Sequence, residues 1–208
     1  MRTSLIVVAL ACALLAAPRQ AGAVARTCGS DPVANTTNVL CASPSGPCTA
    51  TTVTMSSAIE VTGGGCLFDI GGRVLQIQKT FQMNGQAFIK VMNAGDVTIT
   101  ATGKLKARGD FVMQNGFIVQ GGLITIDSSG TITLVNGALI DVSGDGAGEV
   151  DLTSQGDLTV QNGATLVGNG ITSFTDTGDR FADGGTVSLT SLGGNVFSNG
   201  QITVSGDN

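Results

Sequence analysis

Apolar and polar residues alternate with a period of two in short segments that recur along the chain from about residue 95 onward. Ile132 and Leu134 stand against Thr131 and Thr133, Val150 and Leu152 against Asp151 and Thr153, and Val187 and Leu189 against Ser188 and Thr190. Such alternation predicts strands buried on one face and solvated on the other. Glycines punctuate the segments. From Gly130 the chain reads Gly-Thr-Ile-Thr-Leu-Val-Asn-Gly, then Ala-Leu-Ile-Asp-Val-Ser-Gly, then Gly148-Glu-Val-Asp-Leu-Thr-Ser. Copies of this three-strand unit begin at Gly95, Gly130, Gly156 and Gly193, at steps of 35, 26 and 37 residues. Superposing them places Val97, Ile132 and Leu158 in one column and Ile124, Val150 and Val187 in another. Repeats of this length and variable spacing predict a solenoid, since each unit buries its apolar face only against the next. The expected fold is all-β, a right-handed parallel β-helix over residues 71–208.

An antiparallel β-sandwich is the competing architecture. Asn-Gly recurs at 84–85, 115–116, 136–137, 162–163, 169–170 and 199–200, and between strands this dipeptide favours hairpins. It also supplies the left-handed backbone that a sharp solenoid corner needs. Its return at one place in each copy favours the solenoid. Residues 26–70 do not fit the repeat; they are rich in Ser and Thr and carry Pro32, Pro44 and Pro47. The reading for them is an N-terminal cap over the exposed strand edge and apolar end of the first coil. The sequence stops at Gly206-Asp207-Asn208, where earlier copies proceed to another strand. A β-helix truncated at that end is therefore expected, with end-to-end contact at its open coil.

The first 25 residues read as a signal peptide. Arg2 is followed by an apolar stretch from Leu5 to Ala17, and small residues follow at Ala21-Gly22-Ala23 and Ala23-Val24-Ala25. Cleavage after Ala23 and cleavage after Ala25 both fit this pattern. Pro18-Arg19-Gln20 cuts the run short of the roughly 20 apolar residues that a membrane span requires. Cys12 has too little apolar chain before it to become a lipidated N-terminus. The expected location is secreted or cell-surface, with no membrane span. Four cysteines remain beyond the leader: Cys28, Cys41, Cys48 and Cys66. An even number in an exported chain favours two disulfides, and three connectivities are open. Zinc is disfavoured, because the chain has no Cys-x-x-Cys spacing and no histidine.

Charge is sparse and unevenly placed. The whole chain carries 10 basic and 15 acidic residues; removing Arg2 and Arg19 with the leader moves the net from −5 to −7. Lys79, Lys90, Lys104, Lys106 and Arg108 cluster, and only Arg180 is basic after them. A basic band beside an acidic tail suits an anionic glycan, although a solvated face has the same composition. Overall acidity and the absence of Trp and Tyr argue against nucleic acid as a partner.

The units Gly-Asp-Leu-Thr-Val-Gln-Asn-Gly-Ala and Gly-Gly-Thr-Val-Ser-Leu-Thr resemble the β-helix segments of bacterial secreted and surface proteins of the filamentous-haemagglutinin-like type. The likeness covers about residues 70–208 and implies adhesion or a structural stalk. The Asn-Pro-Asn-Gly motif of the two-partner secretion domain is absent, which puts that export route in doubt.

Candidate chemistry is thin. Without histidine there is no Ser-His-Asp triad and no His-Glu-x-x-His zinc site. No catalytic residue, metal or cofactor is expected. Asp127 and Asp151 point outward on neighbouring copies, and paired carboxylates are what glycoside hydrolysis uses, yet aspartate is also an ordinary residue on a solvated strand. The longest departure from the repeat, Asn169 to Asp183, holds Phe174, Asp176, Asp179, Arg180, Phe181 and Asp183. Loops on a rigid scaffold are where binding resides, and these residues form the candidate ligand-binding set. Phe174, Phe181 and Arg180 would stack on sugar, and the aspartates would offer oxygen to calcium. A loop packing its own phenylalanines against the coil is the plainer reading. Gly144-Asp145-Gly146-Ala147-Gly148-Glu149 resembles a single calcium-binding glycine repeat, and Thr98, Thr133 and Thr159 form a threonine ladder that Asp96 and Asp157 interrupt. Three function classes follow: a structural or adhesive surface protein without catalytic activity, a carbohydrate-binding module, and a carbohydrate-active enzyme. The partners expected are a cell-surface glycan or another surface protein.

Overall fold

The computed structural model of the chain describes residues 23–62, 65–84, 87–108, 113–114, 117–118, 122–144, 148–170 and 184–206. Strand β1 (Val24–Arg26) precedes a short helix α1 (Pro32–Asn35), which widens into a π-type turn at Thr36–Leu40. Coils of three strands follow. The first holds β2 (Thr52–Met55), β3 (Ile59–Thr62) and β4 (Gly65–Asp69), and the second holds β5 (Val74–Ile77), β6 (Thr80–Asn84) and β7 (Phe88–Ala94). In the third, β8 (Val97–Ile99) and β9 (Lys104–Arg108) are separated from β12 (Leu123–Ser128) by two small strands, β10 (Met113–Gln114) and β11 (Phe117–Ile118). The fourth comprises β13 (Ile132–Leu134), β14 (Leu139–Asp141) and β15 (Glu149–Ser154), and the fifth β16 (Leu158–Val160), β17 (Thr165–Val167) and β18 (Thr186–Ser191). Strands β19 (Val196–Ser198) and β20 (Gln201–Thr203) begin a sixth.

Corresponding strands of successive coils pair in parallel and in register. The first sheet runs β2-β5-β8-β13-β16-β19, the second β1-β3-β6-β9-β14-β17-β20, and the third β4-β7-β12-β15-β18. Three such sheets make a right-handed parallel β-helix, as the sequence repeat predicts. The antiparallel sandwich is thereby excluded. Antiparallel pairing among the described residues occurs between β10 and β11, which flank Asn115-Gly116, and at the Cys48–Val53 bridge. The stack also starts earlier than the glycine-led repeat suggests. Residues 52–69, expected within the cap, form the whole first coil, and Cys66 stacks in register on Ile89. Their repeat is hard to read because this coil lacks the Asn-Gly corners of later ones.

Inward positions form continuous apolar columns. Val53, Leu75, Val97, Ile132 and Leu158 follow one another through the first sheet, and Ile59, Phe81, Leu105, Ile140 and Leu166 through the second. In the third sheet Cys66, Ile89, Ile124 and Val150 do the same. All of these are buried, and each large aliphatic side chain so removed from water contributes about 1.5–3 kcal/mol. The corner between the first and second sheets turns through Asn136-Gly137 and Asn162-Gly163, where glycine φ is 90° and 83°. That left-handed backbone is open to glycine and costly for residues with a Cβ.

Each sheet edge at the N-terminal end is covered by different means. Strand β1 lies along β3. Asn35 Nδ2 donates to the Leu67 carbonyl at 2.9 Å, and Thr36 Oγ1 donates to the Asp69 carbonyl at 2.9 Å, so two helical side chains satisfy the free edge of β4. The Pro47 and Ser45 carbonyls accept from Thr54, Ser56 and Ser57 amides beside β2. Two disulfides fix the cap. Cys28–Cys66 ties the segment before α1 to β4, and Cys41–Cys48 joins the end of the π-type turn to the segment over β2. The first closes a loop of 38 residues, and chain entropy alone makes such a crosslink stabilising by about 4 kcal/mol.

Candidate functional site

Coil length varies almost wholly at one corner. Across the corner from the second sheet to the third, the paired positions Glu60/Gly65, Gln82/Phe88, Lys106/Leu123, Asp141/Glu149 and Val167/Thr186 lie 5, 6, 17, 8 and 19 residues apart. The other two corners change by no more than two residues from coil to coil. Two long insertions, in the third and fifth coils, and between them a short one only two residues longer than the second coil's turn, therefore begin and end at this one corner. Loops collected on one side of a rigid scaffold are a common arrangement for recognition.

A polar chain runs up the roots of these loops. Arg108 closes β9, and its Nη2 donates to Asp141 Oδ2 at 2.9 Å. Asp141 Oδ1 accepts from the Ser143 amide at 3.1 Å, Ser143 Oγ accepts from the Asn169 amide, and Asn169 Oδ1 accepts from the Ser205 amide at 3.1 Å. Four successive coils are linked in this way. Burial alone would raise the Asp141 carboxyl, but the Arg108 guanidinium and the Ser143 amide and hydroxyl outweigh it and hold the group below its ordinary value. The carboxylate is thus a structural anion paired to Arg108. Where the insertions rejoin the third sheet, Gly122, Gly148 and Gly185 pass against the outgoing backbone. A Cβ on Gly148 would lie 2.0 Å from the Val142 carbonyl oxygen.

The candidate set Phe174, Asp176, Asp179, Arg180, Phe181 and Asp183 belongs to the third insertion and lies outside the described residues. So does Asp145 of the glycine turn 144–149. Among the described residues no group of three acidic, cysteine or histidine side chains is placed to hold a metal ion. The disulfide cysteines Cys28, Cys41, Cys48 and Cys66 are all bonded, with the pairing given above.

A second feature lies on the outer face of the third sheet. Residues Asn93, Asp127, Ser128, Ser129, Thr153 and Gln155 line a shallow depression of about 300 Å³. It arises from an irregularity in β7, where Met92 and Asn93 both stand opposite the single residue Asp127. Asn93 adopts φ 51°, and its Nδ2 donates to Asp69 Oδ1 at 3.2 Å. Positive φ in a non-glycine residue beside a bulge is backbone held in place by its surroundings. Sequence periodicity gave no sign of this depression, because the extra residue interrupts the alternation only locally.

Asp127 faces Thr153 and Asp151 faces Thr125, so the two carboxylates are diagonal on adjacent strands, as the alignment of repeats predicts. Strand spacing and a two-residue offset put their Cα atoms about 8 Å apart. Both are partly exposed on a hydroxyl-rich strand face, and neither lies in an enclosed cleft. The basic residues do not form one band. Lys104, Lys106 and Arg108 belong to the second sheet, with Lys79 beside Lys104 at its start, while Lys90 belongs to the third, and Arg108 is already paired. Thr98, Thr133 and Thr159 do stack in register, but Gln76 and Phe197 end their column. Asp96 and Asp157 act at the neighbouring corner, where they accept from the Thr131 and Asn195 amides of the following coils at 2.8 and 2.9 Å. No helix of the described residues is long and apolar enough to cross a membrane. Compared with known protein families, curated proteins and solved structures, the chain matches none of them.

Proposed function

We propose that this chain is an exported structural or adhesive β-helix of the cell surface or medium, a rigid rod that presents loops and performs no catalysis. The observation that carries the reading is the alignment of three insertions along one corner of an otherwise regular stack. A rod with invariant walls and one variable edge suits presentation of a recognition surface. The two disulfides support export, since an oxidising compartment is where such bonds form and persist, and the apolar leader agrees with it. The resemblance to filamentous-haemagglutinin-like β-helices supports adhesion or a stalk role. Fractionation of cells producing the native protein tests this. Recovery from the medium, or from the surface by protease shaving, is the expected result. Retention in the cytoplasm as a reduced protein would sink the proposal.

Saccharide binding is the second reading, favoured by the polar depression around Asn93 and Asp127. Hydroxyl, amide and carboxylate groups converge there, which suits a polyol. Glycan-array binding lost in Asp127→Ala and Thr153→Ala but kept in a second-sheet control, Gln201→Ala, is the outcome it requires.

A further inference from the structure

We infer that export processing cuts this chain between Ala23 and Val24, leaving Val24–Arg26 as the end strand of the second sheet. The inference rests on the export reading above and chooses between two cuts that the small-residue pattern allows equally. Val24, Ala25 and Arg26 pair in parallel register with Ile59, Glu60 and Val61. The Val24 amide donates to the Ala58 carbonyl at 2.9 Å. Arg26 Nε donates to Ser45 Oγ at 3.2 Å and Nη2 to the Ser43 carbonyl at 3.3 Å, which locks the strand to the segment covering β2. Ile59 and Val61, the inward residues of β3, are 0% and 1% exposed beside this strand.

A cut after Ala25 would remove two of the three residues of β1. It would leave the edge of β3 open and the Ala58 carbonyl without its donor. A cut after Ala23 keeps the whole strand. Water adds across the Ala23–Val24 peptide bond under a protease that accepts small residues at the last and third-last positions of the leader. Ala23 leaves as a carboxylate and Val24 gains an α-ammonium. That ammonium retains its bond to the Ala58 carbonyl, now charge-assisted. The new terminus therefore fits the folded edge without rearrangement.

The test is N-terminal sequencing and intact mass of the protein recovered from the periplasm or medium of a producing host. A terminus reading Val-Ala-Arg-Thr-Cys is expected. One reading Arg-Thr-Cys would overturn the assignment while leaving export intact, whereas a chain that keeps Met1 in the cytoplasm would defeat export and the assignment together. A second measurement addresses the structural reason. Chains beginning at Val24 and at Arg26, each behind the same heterologous leader, are compared by thermal unfolding. The Arg26 form is expected to melt several degrees lower, and equal melting temperatures would remove the basis of the choice.

Discussion

Asp141 shows how far an outward position can depart from open solvent. By alternation it is an outward residue on β14, yet it is 6% exposed and bound to Arg108 and Ser143. Its folded-state pKa lies below the ordinary 3.8. A depressed carboxyl contributes stability above its unfolded value, and the contribution disappears as pH falls through the folded value. Because Arg108 keeps 53% of its side-chain surface in solvent, the contribution is modest, about 0.5–1 kcal/mol. Asp141→Asn is thus expected to lower stability at neutral pH and to narrow the gap from wild type below about pH 4. Denaturant titrations at both pH values check this, and a gap independent of pH would refute it. Asn35 is a more expensive side chain to lose. It is buried and bonds both Gly29 backbone groups and the Leu67 carbonyl. Asn35→Ala leaves those groups unpaired at a cost of about 2–3 kcal/mol, measurable as a shifted denaturation midpoint with unchanged slope.

At the scale of strands and corners, legibility followed the strength of the local signal. The period-two strands Ile132–Leu134, Glu149–Ser154 and Thr186–Ser191 were readable because alternating burial leaves alternating chemistry, and the columns drawn from them match the register. The first coil was not, since Thr52–Met55 and Ile59–Thr62 have the alternation but lack the Asn-Gly corners that mark the later copies. The depression at Asn93 was invisible for a different reason: it depends on which residue of a neighbouring coil faces a bulge, and that is a fact of register. The stapling roles of Asn35 and Thr36 are equally nonlocal, joining residues 32 and 33 positions apart. Loop lengths, by contrast, were present in the sequence as unequal repeat steps, although their common corner emerges only from the pairing. Replacing residues 109–121 with the two residues Gly-Gln would restore the spacing of the second coil, six residues across the corner. Loop closure depends weakly on length, about 0.6 kcal/mol per doubling. The shortened protein is therefore expected to melt within a few degrees of the parent, and collapse of cooperative unfolding would show that the insertion supports the coil.

Over the whole molecule the two ends contrast. The N-terminal edges are covered by a strand, a helix and a stapled segment, while β18, β19 and β20 are the last strands of their sheets. Around them Leu192, Val196, Phe197, Ile202 and Val204 are exposed, Phe197 at 48%. No charged residue lies in those three strands. The pinch at Gly122, Gly148 and Gly185 has a wider consequence. Each insertion is gripped where it leaves and re-enters, so the coil beneath has no register to renegotiate when the excursion changes. New sequence can be spliced into that edge, lengthened or swapped while the rod keeps folding on its own terms. On the reading proposed above, what the molecule touches and how it holds its shape are separately heritable, and selection can revise the first without disturbing the second.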